Sequence, residues 1–252
     1  MSSTKAETAD KNTRALARGV VGRVQWIGDC RPETLDELVA CGQLRKYGKG
    51  ECVAQRDQAF DFMGVLIKGS LEASFTRPWG HRHLVGILRP GTLVGLVPTM
   101  DGLGHVNDLW SREPSTVLLI PRDDVRRIRD ADPALARALE RHLAFRCRLL
   151  FDRLIADSGL SLEARLCNLL LTLCSLHGSP RGNVVELDLK LSQTDLADWL
   201  GVSRQRINFV VKQLQAADIL ELRYFAITIV DYALLVERAA DPLAGKAPNP
   251  VS

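Results

Sequence analysis

Between Ser203 and Leu214 the chain reads SRQRINFVVKQL, a stretch that holds Arg204, Gln205, Arg206, Asn208 and Lys212 and no acidic residue. Side chains of these types read nucleic-acid bases. Arg can donate twice to guanine O6 and N7, while Gln and Asn can pair with adenine N6 and N7. Two other groups could do chemistry. His81 and His83 lie two apart, so on a strand both face one way, as ligands of a metal ion would. Cys30, Cys41 and Cys52 are evenly spaced, but cysteines that hold iron–sulfur clusters usually sit roughly two to four residues apart.

The base-reading types need a helix pushed outward to carry them. Helical spacing puts Ile207, Val210, Val211 and Leu214 on one face and Arg204, Gln205 and Asn208 on the other, with Arg206 and Lys212 nearby. Ser203 falls at the N-cap, where its hydroxyl accepts from free amides of the first turn. Just before it, ADWLGVS has the steric pattern of a helix-turn-helix. Counting Gln193 as the first position, the fifth is the small Ala197 and the ninth is Gly201, which can take the positive φ of the turn. Leu196, Leu200, Val202, Ile207 and Val210 fill the positions that lock the pair. DILELRYFAITIVD then reads as two brief strands about a tight turn, a wing.

The rest of the chain divides by texture. Residues 1–22 are polar and read as a disordered tail. A short helix is expected from about Arg31 to Leu44. Runs broken by Gly and Pro follow, among them DFMGVLIKGSLEASFT and HRHLVGILRPGTLVGLV, with turns at KGS (68–70) and RPG (89–91). That pattern predicts an all-β roll or jelly roll over 23–130. Asp132-Pro133 starts a long helix and Gly159 stops it, giving a helical segment 131–159. Leu139, Leu143, Leu150 and Leu154 lie on its apolar stripe, and residues off the stripe give it a second apolar face. Two faces need two partners: the β domain and the same helix of a second subunit, or alternatively two surfaces within one monomer. Ser161 opens a further helix, and VVELDLKL is a short alternating strand. Residues 160–240 form the winged helix-turn-helix, and 241–252 a tail. The fold class is α+β.

Taken together, LSQTDLADWLGVSRQRINFVVKQLQAADILELRYFAITIVD and the order of elements before it resemble the CRP/FNR transcription regulators, over about residues 25–235. The resemblance implies an N-terminal cyclic-nucleotide-binding-like β-roll, a long dimerisation helix and a C-terminal winged helix-turn-helix. It implies a homodimer on a roughly palindromic stretch of double-stranded DNA, with RNA polymerase as a partner and no catalysis. Arg204 sits where the family reads a guanine. Gln205 replaces the more frequent Glu, and Phe209 stands where some members carry a second base-reading Arg. Ser192, Gln193, Thr194, Ser203 and Lys212 are candidate phosphate ligands, since a helix N-terminus favours an anion.

In cyclic-nucleotide-binding relatives a Gly-Glu-Leu turn holds the ribose and an Arg pairs with the phosphate. Here Gly95 is followed by Leu96, and His105, Val106 and Asn107 stand near the Arg position. Burying a phosphodiester without that cation costs several kcal/mol, so cAMP is not the expected ligand. Two readings stay open: an unknown small-molecule effector held through Arg89, His105 or Asn107, or a pocket that has lost its ligand. HRHLVGILRPG also resembles the start of a cupin motif, which would make the β domain a metal enzyme. However, Ile87 stands near the place of its Glu, and no distal His follows in register. Haem or redox sensing, as in some relatives, is a third reading that lacks the N-terminal cysteine cluster. No resident metal or cofactor is expected.

The bulk numbers are those of an ordinary globular protein, long enough for one large domain or two smaller ones. A 46% hydrophobic and 25% charged chain of 252 residues can bury a core without disulfides. A net charge of +3 is too small to signal a polyanion partner by itself, so that inference must rest on local arrangement. No apolar run approaches the roughly 18 residues of a membrane span, and the N-terminus lacks a signal peptide's hydrophobic stretch. No membrane partner is therefore expected, and the expected location is the cytoplasm.

Overall fold

The computed structural model describes residues 14–24, 27, 29–76, 80–223 and 226–240. They divide into two units that meet in sequence at Leu149 and Leu150.

The first unit carries strands β1 (Gln43–Tyr47), β2 (Cys52–Ala54), β3 (Phe62–Lys68), β4 (Leu71–Thr76), β5 (Arg82–Leu88), β6 (Leu93–Val94), β7 (Asp108–Ser111) and β8 (Ser115–Pro121). They form two antiparallel four-stranded sheets, ordered β1-β8-β3-β6 and β2-β7-β4-β5. Around them stand helices α1 (14–21), α2 (Pro32–Cys41), α3 (Leu96–Asp101), α4 (Arg122–Ala131) and the first part of α5 (Pro133–Gly159). The first sheet is covered on both faces, which is why β3 reads as an almost unbroken apolar run, FMGVLIK. Met63, Val65 and Ile67 pack toward the helices, as do Leu118 and Ile120 of β8. Leu66, Val117 and Leu119 pack on the other side with Leu71, Ala73 and Leu109 of the second sheet. The expected turns at 68–70 and 89–91 fall between β3 and β4 and between β5 and β6.

The tail expected over 1–22 is corrected in its second half. Residues 14–21 are helical, and Ala17 and Val21 are fully buried in the core with Leu35, Leu38 and Leu139. The polar composition hid an apolar spacing: Ala17, Val20, Val21 and Val24 recur at three- and four-residue intervals, enough to seat one helical face. Residues 1–13, like the expected tail at 241–252, lie outside the described residues. The helix expected from Arg31 to Leu44 ends earlier, at Cys41, because Gln43 already begins β1.

The second unit holds the last turns of α5, then α6 (Leu162–His177), β9 (Gly178–Arg181), β10 (Val184–Leu187), α7 (Gln193–Leu200), α8 (Arg204–Ala216), β11 (Leu220–Arg223), β12 (Ala226–Ile229) and α9 (Tyr232–Ala239). Its strands make one antiparallel sheet ordered β11-β12-β10-β9. The β11–β12 wing is thus continuous with the strand that precedes the helix-turn-helix. Leu166, Leu170, Leu196, Ile207, Val211 and Ile229 are buried. Ser161 caps α6 by accepting from the Ala164 amide at 3.2 Å.

Of the cysteines, Cys30, Cys167 and Cys174 are buried, Cys41 and Cys52 are half-buried, and Cys147 is exposed. All are unbridged. Burial pushes the Cys30, Cys167 and Cys174 thiols up to about 11, 12 and 11, so they stay protonated near neutrality. No helix among the described residues is long and apolar enough to cross a membrane.

Candidate nucleic-acid interface and effector pocket

The interface is built on the corner between α7 and α8. Ser192 caps α7, accepting from the Asp195 amide at 3.0 Å, while the Asp195 carboxylate accepts from the Ser192 amide at 3.0 Å. This reciprocal capping box satisfies two donors at the start of α7, the Ser192 and Asp195 amides, and leaves those of Gln193 and Thr194 outside it. At the other end Gly201 takes φ 67° and ψ 34°, a left-handed conformation that costs a glycine little. The Gly201 and Val202 amides both donate to the Ala197 carbonyl. Ser203 then caps α8 by accepting from the Arg206 amide at 3.4 Å.

Ile207, Val210, Val211 and Leu214 are buried behind α8, and Arg204, Gln205, Arg206 and Lys212 are exposed in front of it. No carboxylate pairs with Arg204, Arg206 or Lys212 among the described residues. Uncompensated cations of this kind can neutralise phosphates. The wing's Arg223, by contrast, pairs with Glu221 at 2.9 Å.

Two expected ligands turn toward each other. Gln193 Nε2 donates to Asn208 Oδ1 at 3.2 Å, tying α7 to α8. The pair braces the corner, with both side chains half-buried between α7 and α8. Ser192 is likewise engaged, since its hydroxyl also donates to the Asp195 carboxylate at 2.9 Å. Thr194 stays exposed at the N-terminus of α7.

Residues that sequence reasoning missed hold α7 in place. Arg153 of α5 donates to the Trp199 carbonyl at 2.6 Å, and Arg165 of α6 to the Leu200 carbonyl at 2.8 Å. Both guanidinium groups sit at the negative end of α7, where cations are favoured. In sequence each looks like one more arginine on a solvated helix face. Only the packing brings them to one helix end.

In the first unit the segment after β6 surrounds a cavity of about 30 Å³, lined by Leu93, Gly95, Leu96, His105, Asn107 and Arg146 among others. A water needs roughly 10–15 Å³ by the same measure, so the space admits about two. Gly95 has φ +69°, and a Cβ there would come within 2.5 Å of the Phe62 carbonyl oxygen, so its place is a backbone requirement. Leu96 is packed into the helix-side core. His105 is buried, with Nδ1 2.5 Å from the Asn107 carbonyl oxygen and its ring edge-on to Phe60. Burial pushes its pKa down. Arg89 does not line the cavity and is exposed, which corrects its expected place in the pocket.

The charged group that does line it is Arg146 of α5, whose Nη1 donates to the Leu93 carbonyl at 3.3 Å. Burial lowers the pKa of this guanidinium. The sequence signal was an arginine falling on the apolar stripe of a helix. One turn earlier, His142 is pushed down to about 4 by burial, and next by Arg146. An unfolded histidine takes up its proton near 6.5. Stability from a neutral His142 is therefore complete above that pH and declines as pH falls toward 4. Moving from pH 7 to pH 5 should destabilise the first unit by about 1 kcal/mol after allowance for solvent screening. Urea midpoints at the two pH values measure this, and His142→Leu should flatten the difference.

The leucines expected on a dimer helix separate into two sets. Leu139 is buried in the first unit's own core and Leu143 packs partly against it, so Leu139 is corrected as an intersubunit residue. Leu150 and Leu154 are exposed, together with Phe145, Phe151 and Ile155. His83 lies against the Phe75 ring, at 4.9 Å between centroids. Among the described residues no group of three or more His, Cys, Asp or Glu is placed to hold a metal ion.

The first unit is thus a β-roll with a small pocket, and the second a winged helix-turn-helix with a bare cationic face, the outline of a DNA-binding regulator. Comparisons with known proteins agree. Residues 44–132 match the cyclic nucleotide-binding domain family, and residues 164–238 match the Crp-like helix-turn-helix domain family. The chain belongs to the CRP/FNR family of transcription regulators. It is 26% identical over 228 residues to the HTH-type transcriptional regulator Cmr of Mycobacterium tuberculosis, covering 87% of this chain and 89% of that one. It is 22% identical over 220 residues to the CRP-like cAMP-activated global transcriptional regulator of the same species, covering 87% and 98%. The structure of FixK2 from Bradyrhizobium japonicum superposes with a TM-score of 0.70 at 19% identity, covering 79% of this chain and 98% of that one.

Proposed function

We propose that this regulator works in the cytoplasm as a homodimer that places two copies of α8 in successive major grooves of a roughly palindromic operator, and that it acts on transcription through RNA polymerase without catalysing a reaction. Dimers of helix-turn-helix proteins meet half-sites about one helical turn apart. The observation that carries the reading is the face of α8. Arg204, Gln205 and Arg206 stand exposed at its N-terminal end, unopposed by carboxylates, while aliphatic side chains anchor its back. Arg204 reads a guanine, and Gln205, which both donates and accepts, shifts the neighbouring preference away from the cytosine that a Glu would favour. Lys212, Thr194 and the α7 amides contact phosphates.

Selection of bound fragments from random DNA gives the half-site. Against it, Arg204→Ala should lose roughly 1–3 kcal/mol of discrimination at one base pair. An equal loss on all sequences would show that Arg204 holds a phosphate instead.

The β-roll senses an effector other than cAMP. Leu96 offers no carboxylate to a ribose, and burial disfavours the charged form of His105. The cation available to the cavity comes from α5, as Arg146, which suits a small acidic ligand and places the sensing group on the helix that leads to the DNA-binding unit.

A further inference from the structure

Phe209 is 65% exposed on α8, although a phenyl ring gains nothing from water. Helical geometry places it about 40° around the axis from Gln205, on the side opposite the buried Ile207, Val211 and Leu214. Gln205, Phe209 and Lys212 therefore form the ridge of the helix that stands furthest from its own core. Arg206 and Lys212, three residues to either side, flank the ring with positive charge, and the segment from Ser203 to Leu214 holds no acidic residue. An apolar protein partner would have to bury those cations without compensation, whereas a DNA groove supplies phosphates on both sides. In the major groove the apolar feature a ring can meet is the 5-methyl group of thymine.

We propose that Phe209 is a specificity-determining residue that packs on a thymine methyl, about two base steps along the groove from the pair read by Gln205, since four residues of helix advance about 6 Å against 3.4 Å per step. The inference rests on the operator-binding reading above and adds a third reading side chain to Arg204 and Gln205.

The test uses the full-length protein and its selected operator. Each thymine of the half-site is replaced in turn by deoxyuridine, which keeps every donor and acceptor and removes only the methyl. Wild type should lose about fourfold in affinity at one position per half-site, the value expected for burying one methyl-sized group. Phe209→Ala should bind the thymine and uracil operators equally, and Phe209→Leu should keep part of the difference. Because the ring is exposed, neither variant should disturb folding, which circular dichroism checks. Operator binding that is indifferent to uracil at every position overturns the proposal and leaves the regulator reading standing. So does a uracil penalty that persists in Phe209→Ala. A Phe209→Ala variant that changes oligomeric state instead assigns the ring to a protein interface. If wild type selects no DNA sequence at all, both readings fall together.

Discussion

Phe151→Lys combined with Leu154→Lys is expected to convert the protein to a monomer and to weaken operator binding by about a hundredfold or more, because two linked half-site contacts exceed one by roughly 10²–10⁴. Leu150, Phe151, Leu154 and Ile155 are each 60–64% exposed over the last turns of α5. Four large apolar side chains in two helical turns exceed the scattered exposure that an ordinary surface shows. Phe151 and Leu154 continue the spacing of Ala144 and Cys147, alternating three and four residues, which is the seam of two helices packed against each other. In the proposed homodimer, lysines placed there would face lysines of the second subunit across the two-fold axis. Sedimentation velocity reads the assembly, and a titration with labelled operator reads the affinity. A double variant that remains dimeric would remove this stretch from the subunit interface. The upper part of the same helix should not behave this way, because Leu139 is already buried beneath its own sheet.

Ile207→Ala should lower the stability of the second unit by about 2–5 kcal/mol, the range for truncating a fully buried aliphatic side chain. Ile207 has no exposed surface and lies directly behind the exposed cationic face of α8. It packs α8 onto the unit's core, so the cavity left behind falls where the reading helix is anchored. Denaturant unfolding followed by circular dichroism should show the second unit melting early while the first is unaffected. Operator binding at low temperature should outlast binding at high temperature, since the recognition side chains are intact. Substituting the neighbouring exposed Gln205 by Ala should change stability by no more than about 0.5 kcal/mol, as expected for surface positions. Equal effects at 205 and 207 would mean that the inward and outward faces of α8 are misassigned.

Much of this protein was legible before its fold was known, because the signals were local. The helix-turn-helix is specified by short-range sterics: a small residue at Ala197, a glycine at the one position with left-handed φ, a serine cap at 203 and aliphatic residues at helical spacing. The β-roll announced itself through short runs and turn residues, and the outward face of α8 through the absence of any acid. Each of these depends on groups a few residues apart, whose relative placement backbone geometry alone dictates.

Tertiary structure decided what each face meets. Helical periodicity identified the stripe of α5, but only packing assigned Leu139 to the chain's own core and left Leu154 uncovered. Arg153 and Arg165 reach the carbonyl end of α7 from helices 30 or more residues away in the chain. Arg146 enters a pocket built from strands some 50 residues earlier. Asn208 accepts from Gln193 across the corner, a contact that the spacing of α8 alone does not give. Periodicity tells a side chain's direction from its own helix axis. Its partner depends on how separate elements pack, and that is settled by the burial of the whole core rather than by any single stretch of sequence.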